Sequence, residues 1–193
     1  MPAALFLIFV AILIRIVPPL LHVHHDWMGN FSPLASLVLC GAVFFPKRMA
    51  AWVPFLILLV SDFTLNIFAY STPMLSWELV PRYFIFAVIG SWAFSKRETL
   101  GRKPMALLGT SVAASVFFYV ATNTVSWVGD AGYAKTFAGW AQALTTGLPG
   151  LPSTISFFRN SLVSDVLFTG LFLICMAVTS KKSAVQSRPV VAV

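Results

Sequence analysis

Six apolar runs, separated by short segments rich in proline, glycine and charge, organise the chain. They cover residues 3–17, 31–45, 51–70, 77–94, 104–127 and 157–179. A helix that crosses the hydrocarbon of a bilayer needs ~20 predominantly apolar residues. The runs therefore predict an all-α, polytopic membrane bundle of six transmembrane helices in a single domain, residues 1–179. The first run is expected to end at Pro18-Pro19 and the second, shorter one at Pro46, because proline cannot donate to a continuing helix. Residues 180–193 carry no pattern that would pack and are expected to form a disordered tail. Between the fifth and sixth runs, Tyr133, Phe137, Trp140, Ala141 and Leu144 recur at helical spacing, with Lys135, Gln142 and Thr145 falling elsewhere. That pattern predicts a short amphipathic helix at the membrane interface, an anchor or a lid, followed by a Gly/Pro turn over residues 147–152.

Composition agrees with lipid as the solvent. Of 193 residues, 59% are hydrophobic and only 10% are charged, against about 25% charged in soluble domains. The mean hydropathy is +0.87. These values exclude a disordered chain, a disulfide scaffold and a soluble nucleic-acid binder, in spite of a net charge of +7. No GxxxxGK[ST] phosphate loop occurs, so energy from ATP would have to come from a partner. Cys40 and Cys175 both fall inside apolar runs and read as small packing residues. The first run carries Arg15, lacks a basic leader and offers no small-x-small cleavage site, so it is expected to be retained rather than cleaved as a signal.

The basic residues predict an orientation. With the N-terminus inside, cytoplasmic segments hold Lys47, Arg48, Lys96, Arg97, Arg102, Lys103, Lys181, Lys182 and Arg188, nine of the thirteen Lys and Arg. The opposite loops hold only Lys135. The bias follows the positive-inside rule and predicts both termini in the cytoplasm.

Charges within the runs are few, and each costs at least ~2.5–3.5 kcal/mol near the bilayer centre. On the expected topology Arg15, Asp62, Glu78, Arg82, Arg159 and Asp165 all fall in the outer half or near the midplane, with Glu78 and Arg82 four residues apart on one helix face. Asp165 lies roughly 9 Å deeper than Arg159 at a 1.5 Å rise per residue. Asp62, Asn66, Arg82, Asn123, Arg159, Asn160 and Asp165 are accordingly expected to line an outward-facing polar pocket. The alternative is an ion-pair network, Asp62 with Arg82 and Asp165 with Arg159, that holds the helices in register. Leu59-Val60-Ser61-Asp62 recurs as Leu162-Val163-Ser164-Asp165 on runs of opposite direction, as an inverted repeat would place it.

Two other chemistries are compatible with the residues. Asp62 and Asp165, at similar depth, would serve an intramembrane aspartyl hydrolase if they shared a proton. No histidine lies in a run, which disfavours a serine hydrolase, and a non-enzymatic role is expected. His22, His24, His25 and Asp26 cluster in the first outer loop, where imidazole and carboxylate suit a transition metal such as nickel or cobalt. No other cofactor is expected.

Several segments resemble a family of small six-helix bacterial membrane proteins classed as candidate transport proteins. They are Asn30-Phe31-Ser32-Pro33-Leu34-Ala35, Gly41-Ala42, Ser61-Asp62, Thr122-Asn123, Tyr133-Ala134-Lys135-Thr136 and Phe157-Phe158-Arg159-Asn160-Ser161-Leu162. The resemblance covers about residues 30 to 170. In size and helix count that family is similar to the S components of energy-coupling-factor (ECF) vitamin transporters, including the cobalamin type. The resemblance implies a micronutrient bound on the outer face, with a separate transmembrane subunit and two ATPases driving its release inward.

Overall fold

A computed structural model describes residues 2–21, 31–50, 52–75 and 77–186. Among these residues every regular element is a helix: α1 Pro2–Leu20, α2 Leu34–Phe44, α3 Lys47–Ala50, α4 Val53–Phe68, α5 Leu79–Ser95, α6 Arg97–Arg102, α7 Pro104–Gly129, α8 Phe137–Leu144 and α9 Thr154–Gln186. Three stretches are long and apolar enough to cross a membrane by length and composition: Lys47–Phe68, Pro104–Gly129 and Thr154–Thr179. Leu5–Leu20, Leu34–Phe44 and Leu79–Ser95 are shorter apolar helices. Phe6, Phe84, Trp92, Met105 and Ile174 point outward and uncovered, as they would against lipid tails rather than water.

The expected boundaries hold within a turn at most places and shift at others for local reasons. The first helix does not stop at Pro18-Pro19; both prolines lie inside α1, and the Leu21 amide still reaches the Val17 carbonyl at 3.0 Å. The prolines forfeit the bonds that would go to Ile14 and Arg15, so the helix ends just after them rather than at them. Pro54 and Pro104 sit in the first turns of α4 and α7, where a missing N–H leaves no bond unmade. The sixth run begins earlier than expected and its backbone helix continues to Gln186, past Thr179. Between α7 and α9 the helix α8 starts at Phe137 and leaves Tyr133 in the preceding turn. The Thr136 hydroxyl caps that helix by accepting from the Gly139 amide at 3.2 Å.

The largest departure concerns the second run. Residues 31–33 are not helical, and α2 has only eleven residues, about 16 Å at 1.5 Å per residue. That is roughly half the ~30 Å of a hydrocarbon core. Its position explains how a helix this short persists: every residue from Ala35 to Val43 is buried. Helices α4, α5, α7 and α9 pack around it, and α3 and α6 close its C-terminal end. The core follows from that arrangement. Leu37, Val38, Cys40 and Phe45 meet Leu58, Ile85, Phe86, Ile89, Phe168 and Phe172 in one cluster. A second cluster joins Leu39, Ala42 and Val43 to Ala93, Leu100 and Leu107 near α6. Phe86 stacks on Phe118 at 4.8 Å, tying α5 to α7.

Such a central helix needs small residues where its neighbours cross. At Gly41 a Cβ would lie 2.4 Å from Cγ of Pro54, a ring that cannot swing aside. Gly41→Ala should therefore force α2 and α4 apart and cost about 1–3 kcal/mol, the usual range for overpacking. Gly109→Ala on α7 meets nothing within 4 Å and should be neutral or stabilising by up to ~1 kcal/mol. Thermal unfolding of the two variants in detergent checks the pair. Equal midpoints would show that the α2–α4 crossing is not tight.

Candidate functional site

The polar side chains inside the bundle form two separate networks, each built on one of the two aspartates. The first gathers at Asp62 on α4, whose side chain is 3% exposed. Arg15, from α1, donates through Nη2 to Asp62 Oδ1 and through Nη1 to Ser61 Oγ. Ser61 spends its own proton on the Leu58 carbonyl, 2.8 Å away, so its oxygen is free to accept. On the other side Tyr83, from α5, donates its hydroxyl to Oδ2 at 2.9 Å, and Arg82 Nη1 lies 3.5 Å from Oδ1. Three helices thus converge on one carboxylate. Arg15 is 11% exposed and Arg82 is 32% exposed. A small cavity of about 10 Å³ opens between α1, the start of α2 and α4, lined in part by Arg15, Ser61, Ser32 and Leu37. The buried hydroxyl of Ser32 has no hydrogen-bond partner.

The second network surrounds Asp165 on α9, 2% exposed. Its Oδ1 accepts the Ser36 amide at 2.8 Å and its Oδ2 the Ser115 hydroxyl at 2.6 Å. Ser111 donates to the Asp165 carbonyl at 3.3 Å, and Thr169 donates to Ser111 at 2.9 Å. Asp165 therefore occupies the N-terminal end of α2, where the first amides of a helix are unpaired and the helix dipole is positive. The opposite end carries the complement. Arg97 donates Nη2 to the carbonyls of Val43 and Phe45, at 3.2 and 2.6 Å, and lies over the Phe94 ring at 5.0 Å. An acid at one terminus and a cation at the other satisfy a helix that water cannot reach.

The seven residues expected to share a pocket do not line one cavity; none of them borders the opening beside Arg15. Asp62 and Arg82 do meet. Asp165 is committed to α2 and is not paired with Arg159, which is exposed. Asn66 is half-buried, its side-chain amide 3.4 Å from the carbonyls of Pro73 and Met74. Asn123 donates back to the Tyr119 carbonyl of its own helix at 2.8 Å. Asn160 is buried and takes a 3.4 Å contact from its neighbour Arg159. Glu78 forms no ion pair with Arg82 and instead sits exposed just before α5, while Arg82 turns to Asp62. The LVSD echo fails to produce equivalent sites, because Ser61 is bonded on both sides whereas Ser164 is buried without a partner. His22, His24, His25 and Asp26 lie outside the described residues.

Sequence reasoning passed over Arg15, Ser61 and Tyr83 at the first network, and Ser36, Ser115 and Arg97 at the second. Arg15 was visible as a charge in an apolar run. Ser111 and Ser115 were visible as hydroxyls one turn apart in another. Arg97 is indistinguishable in sequence from its basic neighbours, and its role at α2 arises only from packing.

A family profile matches residues 1–188 of the chain, which belongs to DUF6580, a family of unknown function. No curated protein and no solved structure shows significant similarity to it.

Removal of the Asp165 carboxyl tests the anchoring of α2. Asp165→Ala strands the Ser36 amide in a dry interior, at about 1–3 kcal/mol, and leaves the Ser115 hydroxyl only the Ser111 carbonyl, 3.0 Å away. Asp165→Asn keeps an acceptor and should cost clearly less. Unfolding midpoints in detergent should rank wild type, Asn, then Ala. An alanine variant as stable as wild type would show that the carboxyl does not hold the helix.

Proposed function

We propose that this protein is the substrate-binding, membrane-embedded component of a small-solute uptake system. It would cross a bacterial cytoplasmic membrane six times with both termini inside, in the manner of an ECF S component. The observation that carries the reading is the buried Asp62 carboxylate held by guanidinium groups from two different helices. Charges buried among membrane helices are expensive and, where they occur, mark solute or ion pathways more often than surfaces. The adjoining cavity, about 10 Å³, has room for roughly one water. Inward release would be driven by a separate transmembrane subunit with its ATPases, since the chain has no phosphate loop.

Placement of the basic residues supports the orientation. Helices α3 and α6 pack at the same end of α2, which gathers Lys47, Arg48, Lys96, Arg97, Arg102 and Lys103 toward one end of the bundle. The Asp62 network lies on the other side of the α2 N-terminus, toward the face that would look outward. A fluorescent protein fused after Lys103 should glow, and a phosphatase fused after Lys135 should be active. The reverse pattern would sink the topology.

Binding is tested by mass spectrometry of the purified protein. A non-lipid small molecule should accompany the wild type in near-stoichiometric amount. Asp62→Asn, which releases both guanidinium groups, should retain about tenfold less or lower, equivalent to ~1.4 kcal/mol of lost affinity. Recovery of detergent and lipid alone would remove the substrate-binding reading.

A further inference from the structure

The Asp62 network is unequal in its donors and acceptors. Asp62 Oδ1 accepts from Arg15 and Arg82, and Oδ2 accepts from Tyr83. A carboxylate offers about four acceptor positions, so this one is nearly saturated and has little left for a bound cation. The cations are in surplus instead. Arg15 and Arg82 share a single carboxylate, which leaves a net charge of +1 among the described residues of the cluster. The two are not equivalent. Arg15 is fixed by Ser61 and Asp62 in a nearly closed setting. Arg82 touches Asp62 through one nitrogen at 3.5 Å, the long limit of a hydrogen bond, and remains about one-third exposed. A guanidinium has five N–H donors arranged to grip a carboxylate or phosphate with two parallel bonds. Most of Arg82's donors are uncommitted. Glu78, four residues earlier and just before α5, does not pair with it.

We infer that Arg82 is the receptor for an anionic oxygen group, a carboxylate or phosphate, with Asp62 and Arg15 as its positioning residues. This rests on the reading of the cluster as a binding site and assigns the chemical class of the solute. Asp62 holds Arg82 in place loosely enough for an incoming anion to take over its donors. Arg15 stays behind to neutralise Asp62, so no buried carboxylate is stranded when Arg82 moves to the ligand. Tyr83 keeps Oδ2 occupied in both arrangements. A carboxylate or phosphate arriving at Arg82 brings the cluster to neutrality, which in a low-dielectric setting is the favourable direction.

The test is thermal unfolding of the full-length protein, delipidated in a neutral detergent, with added inorganic phosphate, succinate or, in a separate arm, phosphatidylglycerol in mixed micelles. Phosphate or succinate should raise the unfolding midpoint in a saturable way, and choline at equal ionic strength should not. Arg82→Gln should raise the half-saturating concentration at least about tenfold. Arg82→Lys, which keeps the charge but loses the fork, should fall between. Arg102→Gln on α6 is the control for non-specific charge and should respond like wild type. Protection that survives in Arg82→Gln overturns the assignment. Protection by phosphatidylglycerol alone makes the anion a lipid headgroup and overturns the assignment to a solute. If the purified protein carries a stoichiometric small molecule that is neutral or cationic, the binding reading stands and the anion assignment fails.

Discussion

Burial of an eleven-residue helix on all sides is the constraint on which the remaining structure depends. A helix presents four unpaired amides at its start and four unpaired carbonyls at its end, and α2 offers both to an interior without water. Asp165 accepts from the amide of Ser36, while Arg97 donates to the carbonyls of Val43 and Phe45. Each partner also complements the helix dipole, negative group to positive end and positive group to negative end. The two charges come from α9 and from α6, so satisfying α2 fixes where those helices must lie. Small residues along α2, above all Gly41 against Pro54, then bring α4 to close contact.

A half-length central helix creates the setting of the Asp62 network. Because α2 begins partway through the bundle, the space beyond its N-terminus is bordered by α1 and α4 rather than filled by a continuing helix. The cavity beside Arg15 and Ser61 lies there, with Ser32 and Pro33 at its edge. Discontinuous helices that end near the midplane, with polar groups gathered at the break, are a recurring way to place a solute site inside a membrane. The same break accounts for the division of labour between the aspartates. Asp165 is consumed by the helix end, and Asp62, away from it, is left to hold Arg15 and Arg82. Held by wholly different donors, the two carboxylates do not form the shared-proton arrangement that an aspartyl hydrolase requires.

The ion cluster and the helix caps also differ in what they tolerate. Around α2 the helix ends are met by Asp165 and by Arg97 Nη2, and the interactions are structural. At Asp62 the match is incomplete, with two guanidinium groups for one carboxylate and one of them loosely held. Natural interiors seldom retain an unbalanced charge without a use, because desolvation of the surplus ion costs several kcal/mol. The imbalance therefore separates the candidate binding site from the buried polar groups that only hold the fold together.

The sequence by itself determined the solvent and the elements. Apolar runs of membrane length, a deficit of charge and a one-sided distribution of Lys and Arg are local properties, and they marked a helical membrane bundle and bounded most helices within a turn. Asp62 and Arg82 were legible as a candidate site because an ionised group in an apolar run is costly wherever it packs. Only the tertiary structure decided which polar groups meet. It showed α2 to be a buried half-helix and set Asp165 and Arg97 at its ends. It also drew Arg15 and Tyr83 to Asp62, and left Asn66, Asn123 and Arg159 apart. Those pairings depend on how helices distant in sequence are rotated and offset against one another. Hydrophobic periodicity fixes a helix and its apolar faces, but not the depth and angle at which a partner's single polar atom arrives.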